Sequence, residues 1–92
     1  MLQNFNVDKT IISCKGIHIE KGVTESNEME LEIKKAMIAS AKKIILAVDG
    51  SKFNKVSFAR LTDIKIFDVI VTDKLDDKAW LEYFKLNNMV LI

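Results

Sequence analysis

The 92-residue chain contains no proline, three glycines, one cysteine and one histidine. Each scarcity excludes something. Without proline and with so little glycine, an all-β architecture built on many tight turns is poorly supported. A single cysteine, Cys14, cannot close an internal disulfide, which suits a reducing compartment and leads us to expect a cytoplasmic location. The lone His18 has no second histidine or cysteine at ligand spacing, so no metal site is expected. Gly16 and Gly22 are too isolated to form a P-loop or a dinucleotide fingerprint, and no cofactor is implied. Charge of one sign is also missing: 14 Lys plus Arg against 13 Asp plus Glu leave a net charge of +1. A surface that tracks phosphates along DNA needs a clear basic excess, so DNA contact by this segment is not expected. No apolar run approaches the ~20 residues that span a bilayer, and no signal peptide is recognisable, so no membrane partner is expected.

What is present describes a packed globule. Apolar residues make up 49 % of the chain and charged ones 29 %, which rules out a disordered tail. The length suits one domain with a small core. Residues 7–14 carry the β-branched stretch Thr10-Ile11-Ile12 and read as a strand. Residues 15–24 show no sustained period and read as a loop. From Asn27 the period turns helical, with Met29, Ile33, Ala36, Met37 and Ala41 as its apolar face. Ser26 or Asn27 can cap that helix, Glu28, Glu30 and Glu32 suit its start, and Lys42 and Lys43 suit its end. Glu30 and Lys34 are spaced to pair across one turn.

Residues 44–48 are an unbroken apolar run of strand length, and 66–71 are a second run of that length that includes Asp68. Such runs are expected to be covered on both faces, as in parallel sheets flanked by helices. The segment 52–65 between them is ambiguous, with residues 56–59 open to strand or helical turn. Asp76 and Asp77 open a second helix whose apolar side is Ala79, Trp80, Tyr83 and Phe84, ended by Asn87-Asn88, and residues 89–92 form a last strand. The order β-α-β-x-β-α-β predicts a three-layer, Rossmann-like α/β unit with a mostly parallel sheet and right-handed crossovers.

In open α/β sheets the ligand crevice lies at the carboxyl ends of the strands. Those ends read Cys14-Lys15-Gly16, Asp49-Gly50-Ser51-Lys52 and Thr72-Asp73-Lys74. Carboxylates and hydroxyls there can hydrogen-bond sugar hydroxyls, and lysines can face a phosphate. The plainer reading is that strands end in polar turn residues whatever the function. Elsewhere the plain reading prevails. Cys14 beside Lys15 could be an activated thiol, but at a strand end it is better read as a small apolar filler. Trp80, Tyr83 and Phe84 at helical spacing read as core rather than a base-stacking platform. The pairs Lys34-Lys35 and Lys42-Lys43, on a glutamate-rich helix, read as a solvated face. A phospho-acceptor receiver domain is disfavoured because its first strand end needs an acidic pair for Mg²⁺, and here Ser13-Cys14-Lys15 stands there.

A wider pattern joins these pieces. Cys14-Lys15-Gly16-Ile17, Gly22-Val23-Thr24, Glu30, Ile33-Lys34-Lys35-Ala36-Met37-Ile38, Ala41-Lys42-Lys43-Ile44-Ile45-Leu46, Asp49-Gly50-Ser51-Lys52-Phe53 and Ile70-Val71-Thr72-Asp73 together resemble the C-terminal sensor domain of DeoR-family bacterial transcriptional regulators. The resemblance runs from about Val7 to Ile92. It implies a fold similar to ribose-5-phosphate isomerase and the amino-sugar phosphate deaminases, and a regulator whose N-terminal winged helix-turn-helix binds operator DNA. It further implies that the sensor binds a phosphorylated sugar or related metabolite and thereby relieves repression. Glu30 resembles the carboxylate that acts as general base in those enzymes, and Lys52 a ligand-contacting lysine. Asp49 and Ser51 are expected beside them, with Lys34, Thr24 and Asp73 in support.

The departures are also informative. The helix-turn-helix and the phosphate-cradling first half of the sensor are not in this sequence, so the chain is expected to be a single partial domain, residues 1–92. Gly50 stands where the family usually has a polar residue or histidine, which implies a looser turn. Uncovered edges and faces would then drive self-association into a dimer or larger assembly. The leading expectation is a sugar-phosphate-sensing, self-associating module rather than an enzyme, since no second positioned acid or histidine accompanies Glu30. The alternatives are a sugar-phosphate isomerase or deaminase, and an inert fragment that only associates.

Overall fold

The computed structural model describes residues 7–92. Four strands, β1 (Val7–Ile12), β4 (Ala41–Ala47), β6 (Val69–Val71) and β7 (Val90–Leu91), form one sheet in the order β1-β4-β6-β7. All its pairings are parallel. A second, antiparallel sheet joins β2 (Gly16–His18), β3 (Gly22–Glu25) and β5 (Ala59–Thr62). Two helices complete the unit, α1 (Glu28–Ser40) before β4 and α2 (Lys78–Leu86) before β7. The parallel α/β arrangement expected from the order of apolar runs is therefore present.

The strand order advances one way across the parallel sheet. With right-handed crossovers, every connection then falls on the same side. Burial agrees. Ile12, Leu46 and Ile70, neighbours in register, are buried and share one core with Leu31 of α1, Trp80 and Phe84 of α2, and Ile17, Val23 and Leu61 of the small sheet. Alternate residues point the other way. Ile45 and Ala47 of β4 are half-buried and Ile11 of β1 is exposed. The expectation that residues 44–48 are covered on both faces is corrected: among the described residues, covering elements lie on one face.

The stretch 15–24, expected as a loop, folds as the β2–β3 hairpin. Ile17 and Val23 pair across it and are completely buried. The turn closes on His18, whose Nδ1 accepts the N–H groups of Glu20 and Lys21 at 3.1 and 3.2 Å. Gly22 follows with φ +83°, a left-handed conformation that favours glycine. The ambiguous segment resolves as β5, which binds β3 with a bulge at Val23/Thr24. Each of these strands is too short to show a period of two.

Helix α1 starts where expected, with Asn27 Oδ1 accepting the N–H groups of Met29 and Glu30. Its buried face is only partly the expected one: Ala36 and Met37 are half-buried, but the helix ends at Ser40, so Ala41, Lys42 and Lys43 open β4 instead of closing the helix. Met29 and Ile33 are 74 % and 49 % exposed, while Leu31, Lys34 and Ser40 are buried. The buried row is set by Lys34, which reaches inward to a carboxylate.

Helix α2 follows its expected pattern more closely. Asp77 caps it, Trp80 and Phe84 are buried and Tyr83 is half-buried, though Ala79 is exposed. Asn88, with φ 56°, turns the chain out of it. Phe53 meets Trp80 edge-on with ring centroids 5.0 Å apart and Phe84 at 6.3 Å, so the aromatic stripe is core.

Candidate functional site

At the carboxyl end of β4 the chain enters a 3-10 turn, Gly50–Lys52. Asp49 opens it: its Oδ1 accepts the Ser51 N–H at 2.9 Å and the Ser51 hydroxyl. From the end of β6, Asp73 Oδ1 accepts the N–H groups of Gly50 at 2.8 Å and Lys74 at 2.7 Å, and a longer 3.4 Å bond from the Thr72 hydroxyl. Hydrogen bonds to Ser51, side chain first, hold Asp49 below its ordinary pKa, and the Gly50 and Lys74 amides do the same for Asp73. Two ionised carboxylates thus flank one turn. Gly50 does not loosen it. A Cβ there would lie 2.7 Å from the Lys74 carbonyl oxygen, so glycine lets the two loops close on each other.

Lys52 ends this turn, half-buried, and its charge is felt by both Asp49 and Cys14. Among the described residues its ammonium forms no ion pair. The backbone that carries it is firmly held. Phe53 is buried and bridges to Ile17, the Asn54 N–H donates to the Ile17 carbonyl at 2.7 Å, and the Trp80 indole donates to Asn54 Oδ1 at 3.0 Å. A free cation on a fixed loop is suited to receiving an anion.

A second cluster sits where β3 meets α1. Lys34 Nζ lies 2.5 Å from Glu25 Oε2 and 3.8 Å from Glu30 Oε1. The expected Glu30–Lys34 pair is therefore present, with Glu30 on the wet side and Glu25 completely buried. Burial pushes the Glu25 carboxyl up, but the Lys34 hydrogen bond and the Ser26 N–H outweigh it, and the group stays below its ordinary value. The sequence does not single out Glu25, because its four-residue strand shows no sustained period. The signal that could have found it is Lys34 itself, three residues from Leu31 on the buried row and in need of a buried counter-charge.

The clusters approach each other at Cys14, whose thiol feels Lys34, Glu25 and Lys52. Burial pushes that thiol up to about 11, so it is protonated at neutral pH and behaves as the filler expected. Thr24 is buried. Its hydroxyl donates to the Gly16 carbonyl at 3.3 Å and accepts the Ser57 N–H at 2.8 Å, which ties the hairpin to the segment before β5. Asp49, Ser51, Lys52 and Asp73 are thus brought together, Glu30 and Lys34 form the neighbouring cluster, and Thr24 is engaged with backbone. Two surface concavities lie elsewhere. One, of about 630 Å³, follows the outer side of α2 at Lys78, Leu81 and Lys85, and a smaller one adjoins Ile19 and Tyr83. The strand-end cluster is the stronger candidate because polar groups converge there. No group of three or more His, Cys, Asp or Glu suited to a metal occurs among the described residues.

Comparison with known proteins decides the family. The profile of the DeoR C-terminal sensor domain matches residues 1–74. The chain belongs to the DeoR C-terminal sensor domain family. Its DeoR-family relatives include the deoxyribose operon repressor of Escherichia coli, 37 % identical over 91 residues, which are 99 % of this chain and 36 % of that protein. The transcriptional repressor GlcR of Bacillus subtilis is 32 % identical over 91 residues, 99 % of this chain and 35 % of its own. The L-fucose operon activator of Haemophilus influenzae is 31 % identical over 74 residues, 80 % and 30 % respectively. The chain spans about a third of the length of these DeoR relatives, all named as transcription regulators rather than isomerases or deaminases. No helix among the described residues is long and apolar enough to cross a membrane.

Proposed function

We propose that this chain is the effector-sensing, self-associating part of a DeoR-type transcriptional repressor and that its effector is a phosphorylated sugar or related metabolite. The observation that carries the reading is Lys52: a half-buried lysine whose ammonium has no ion pair among the described residues, on an anchored turn at the carboxyl end of a parallel sheet. Its ammonium would face the phosphate. Asp49 and Asp73, held ionised, can accept from sugar hydroxyls, and Ser51 adds a hydroxyl. Glu30, half-exposed at the start of α1 and paired with Lys34, would contact the sugar from the neighbouring cluster.

Such a ligand acts on a regulator only through its difference in affinity for two arrangements of the molecule. Operator binding is assigned to residues outside this chain, in keeping with its near-neutral charge. Calorimetric titration with a panel of aldose and ketose phosphates, beside their unphosphorylated counterparts, tests the reading. Binding should require the phosphate, and Lys52→Ala should weaken it roughly tenfold or more, the scale of one charge-assisted hydrogen bond. Equal binding of sugars with and without phosphate, or an unaffected Lys52→Ala variant, would overturn it. Aldose–ketose turnover by the chain would instead establish the enzyme reading.

A further inference from the structure

The turn that carries Lys52 is tied down at both ends, by different parts of the molecule. At its start the Gly50 N–H donates to Asp73 Oδ1 at 2.8 Å, which joins it to the loop after β6. Past its end two ties meet on Asn54. The Asn54 N–H donates to the Ile17 carbonyl of β2 at 2.7 Å, and the next amide, of Lys55, closes on the Lys52 carbonyl at 3.3 Å. The Asn54 side chain accepts the indole N–H of Trp80, in the first turn of α2, at 3.0 Å. Lys52 itself forms no ion pair among the described residues, so its backbone decides where its ammonium can reach.

Asn54 is exposed, and its backbone sits at φ 67°. A left-handed position of this kind suits glycine best, and asparagine is among the few other residues that adopt it readily. Glycine would satisfy the backbone; asparagine adds an amide oxygen. That oxygen meets the N–H of a completely buried tryptophan, a donor that is costly to leave without an acceptor. Phe53, between Lys52 and Asn54, packs edge-on against the same indole with ring centroids 5.0 Å apart. Trp80 thus holds both residues that follow Lys52, one by its ring and one by its N–H. A buried indole ordinarily finds some acceptor, and a bond made for the indole alone would have no bearing on a ligand at Lys52.

We propose that Asn54 and Trp80 are positioning residues for Lys52, through which α2 holds the ammonium ready before a phosphate arrives. The proposal rests on the assignment of the phosphate to Lys52 in the proposed function, and it names what gives that lysine its selectivity. A lysine side chain loses conformational freedom when it grips a phosphate, and a backbone already fixed keeps that loss small. Releasing the turn beyond Lys52 therefore weakens the phosphate contact. Asp49 and Asp73 are held from the other side of the turn, so their contacts to sugar hydroxyls persist.

Calorimetric titration of the 92-residue chain with ribose 5-phosphate, glucose 6-phosphate and fructose 6-phosphate, each beside its free sugar, tests this. Asn54→Gly keeps the left-handed backbone and removes the acceptor, and Trp80→Phe removes the donor; circular dichroism verifies that each folds. Each should lower the preference for the phosphorylated sugar roughly two- to tenfold. The double variant should do no worse than either single one, and Asn54→Gly should have no further effect once Lys52→Ala is present. Trp80 is the chain's one tryptophan, so its single indole N–H signal reads the bond without any ligand. Hydrogen exchange of that indole and of the Lys55 amide should quicken in Asn54→Gly. It should stay slow in Asn54→Asp, which keeps an acceptor and tolerates the left-handed backbone. Unchanged exchange in Asn54→Gly would overturn the positioning role alone, as would wild-type selectivity in that variant while Lys52→Ala loses it. Equal weakening of phosphorylated and free sugars would also overturn it, leaving the bond a merely structural one. A wild type that binds none of the three in a phosphate-dependent way would overturn the phosphate assignment and the positioning role together.

Discussion

The two faces of the parallel sheet are built from similar residues and have opposite fates. On one, Ile12, Leu46 and Ile70 are at most 2 % exposed beneath α1, α2 and the small sheet. On the other, Ile11 is 63 % exposed although it neighbours Ile12 in the same strand. Residue type does not separate them. Topology does: a strand order that advances one way, with crossovers of one hand, sends every connection to a single side. The apolar run 44–48 fits a strand destined to be covered on both faces, and the fold within the described residues covers only one.

Substitutions on the two faces should separate just as clearly, and the buried charges beneath the covered face should weigh most. Lys34→Met should cost about 3–5 kcal/mol, because it strands the buried Glu25 carboxylate, and Glu25→Ala should cost less, because Glu30 remains 3.8 Å from the Lys34 ammonium. Denaturant unfolding checks it, and replacing both at once with apolar residues should recover part of the loss. Leu46→Ala on the covered face should cost about 2–5 kcal/mol by the same measurement, from lost burial plus a cavity. Asp77→Ala, which removes the α2 cap over that face, should cost about 1 kcal/mol. Ile11→Thr on the open face should change the stability of the monomer by about 0.5 kcal/mol or less, whatever it does to assembly.

Acid gives the same contrast without mutation. The folded Glu25 carboxyl lies below its ordinary 4.5, so its stabilising contribution is complete above that value and is lost as pH falls through the folded pKa. Thermal unfolding midpoints should therefore drop below about pH 4.5, and Glu25→Gln, although destabilised at neutral pH, should show a flatter acid limb. Cys14, with its thiol pushed up to about 11, should react slowly with thiol reagents at neutral pH and quickly once unfolded.

Legibility in the sequence followed the length and purity of the signal. Strands β1, β4 and β6 were visible as β-branched or apolar runs, and Asn27 and Asp77 marked the helix starts through capping chemistry. The strand-end clusters Asp49–Lys52 and Thr72–Lys74 followed from the parallel arrangement alone. The hairpin was lost because three- and four-residue strands carry too little period. The buried face of α1 is only partly legible because a lysine occupies it: Met29 and Ile33 look like core and are exposed, whereas Lys34 enters the interior only because Glu25 waits there, nine residues away in a strand that shows no period. Gly50 suggested slack from sequence, and only the approach of the Lys74 carbonyl shows it to be a tight fit.

The most direct test of the central assignment is a residue-by-residue map of amide chemical shifts on ¹⁵N-labelled chain titrated with sugar phosphates. The account predicts that the largest changes fall on the amides of Gly50, Ser51, Lys52 and Lys74, with smaller ones at the start of α1, and that they vanish in Lys52→Ala. Shifts confined to the outer side of α2, or no saturable shifts with any phosphorylated sugar, would contradict it.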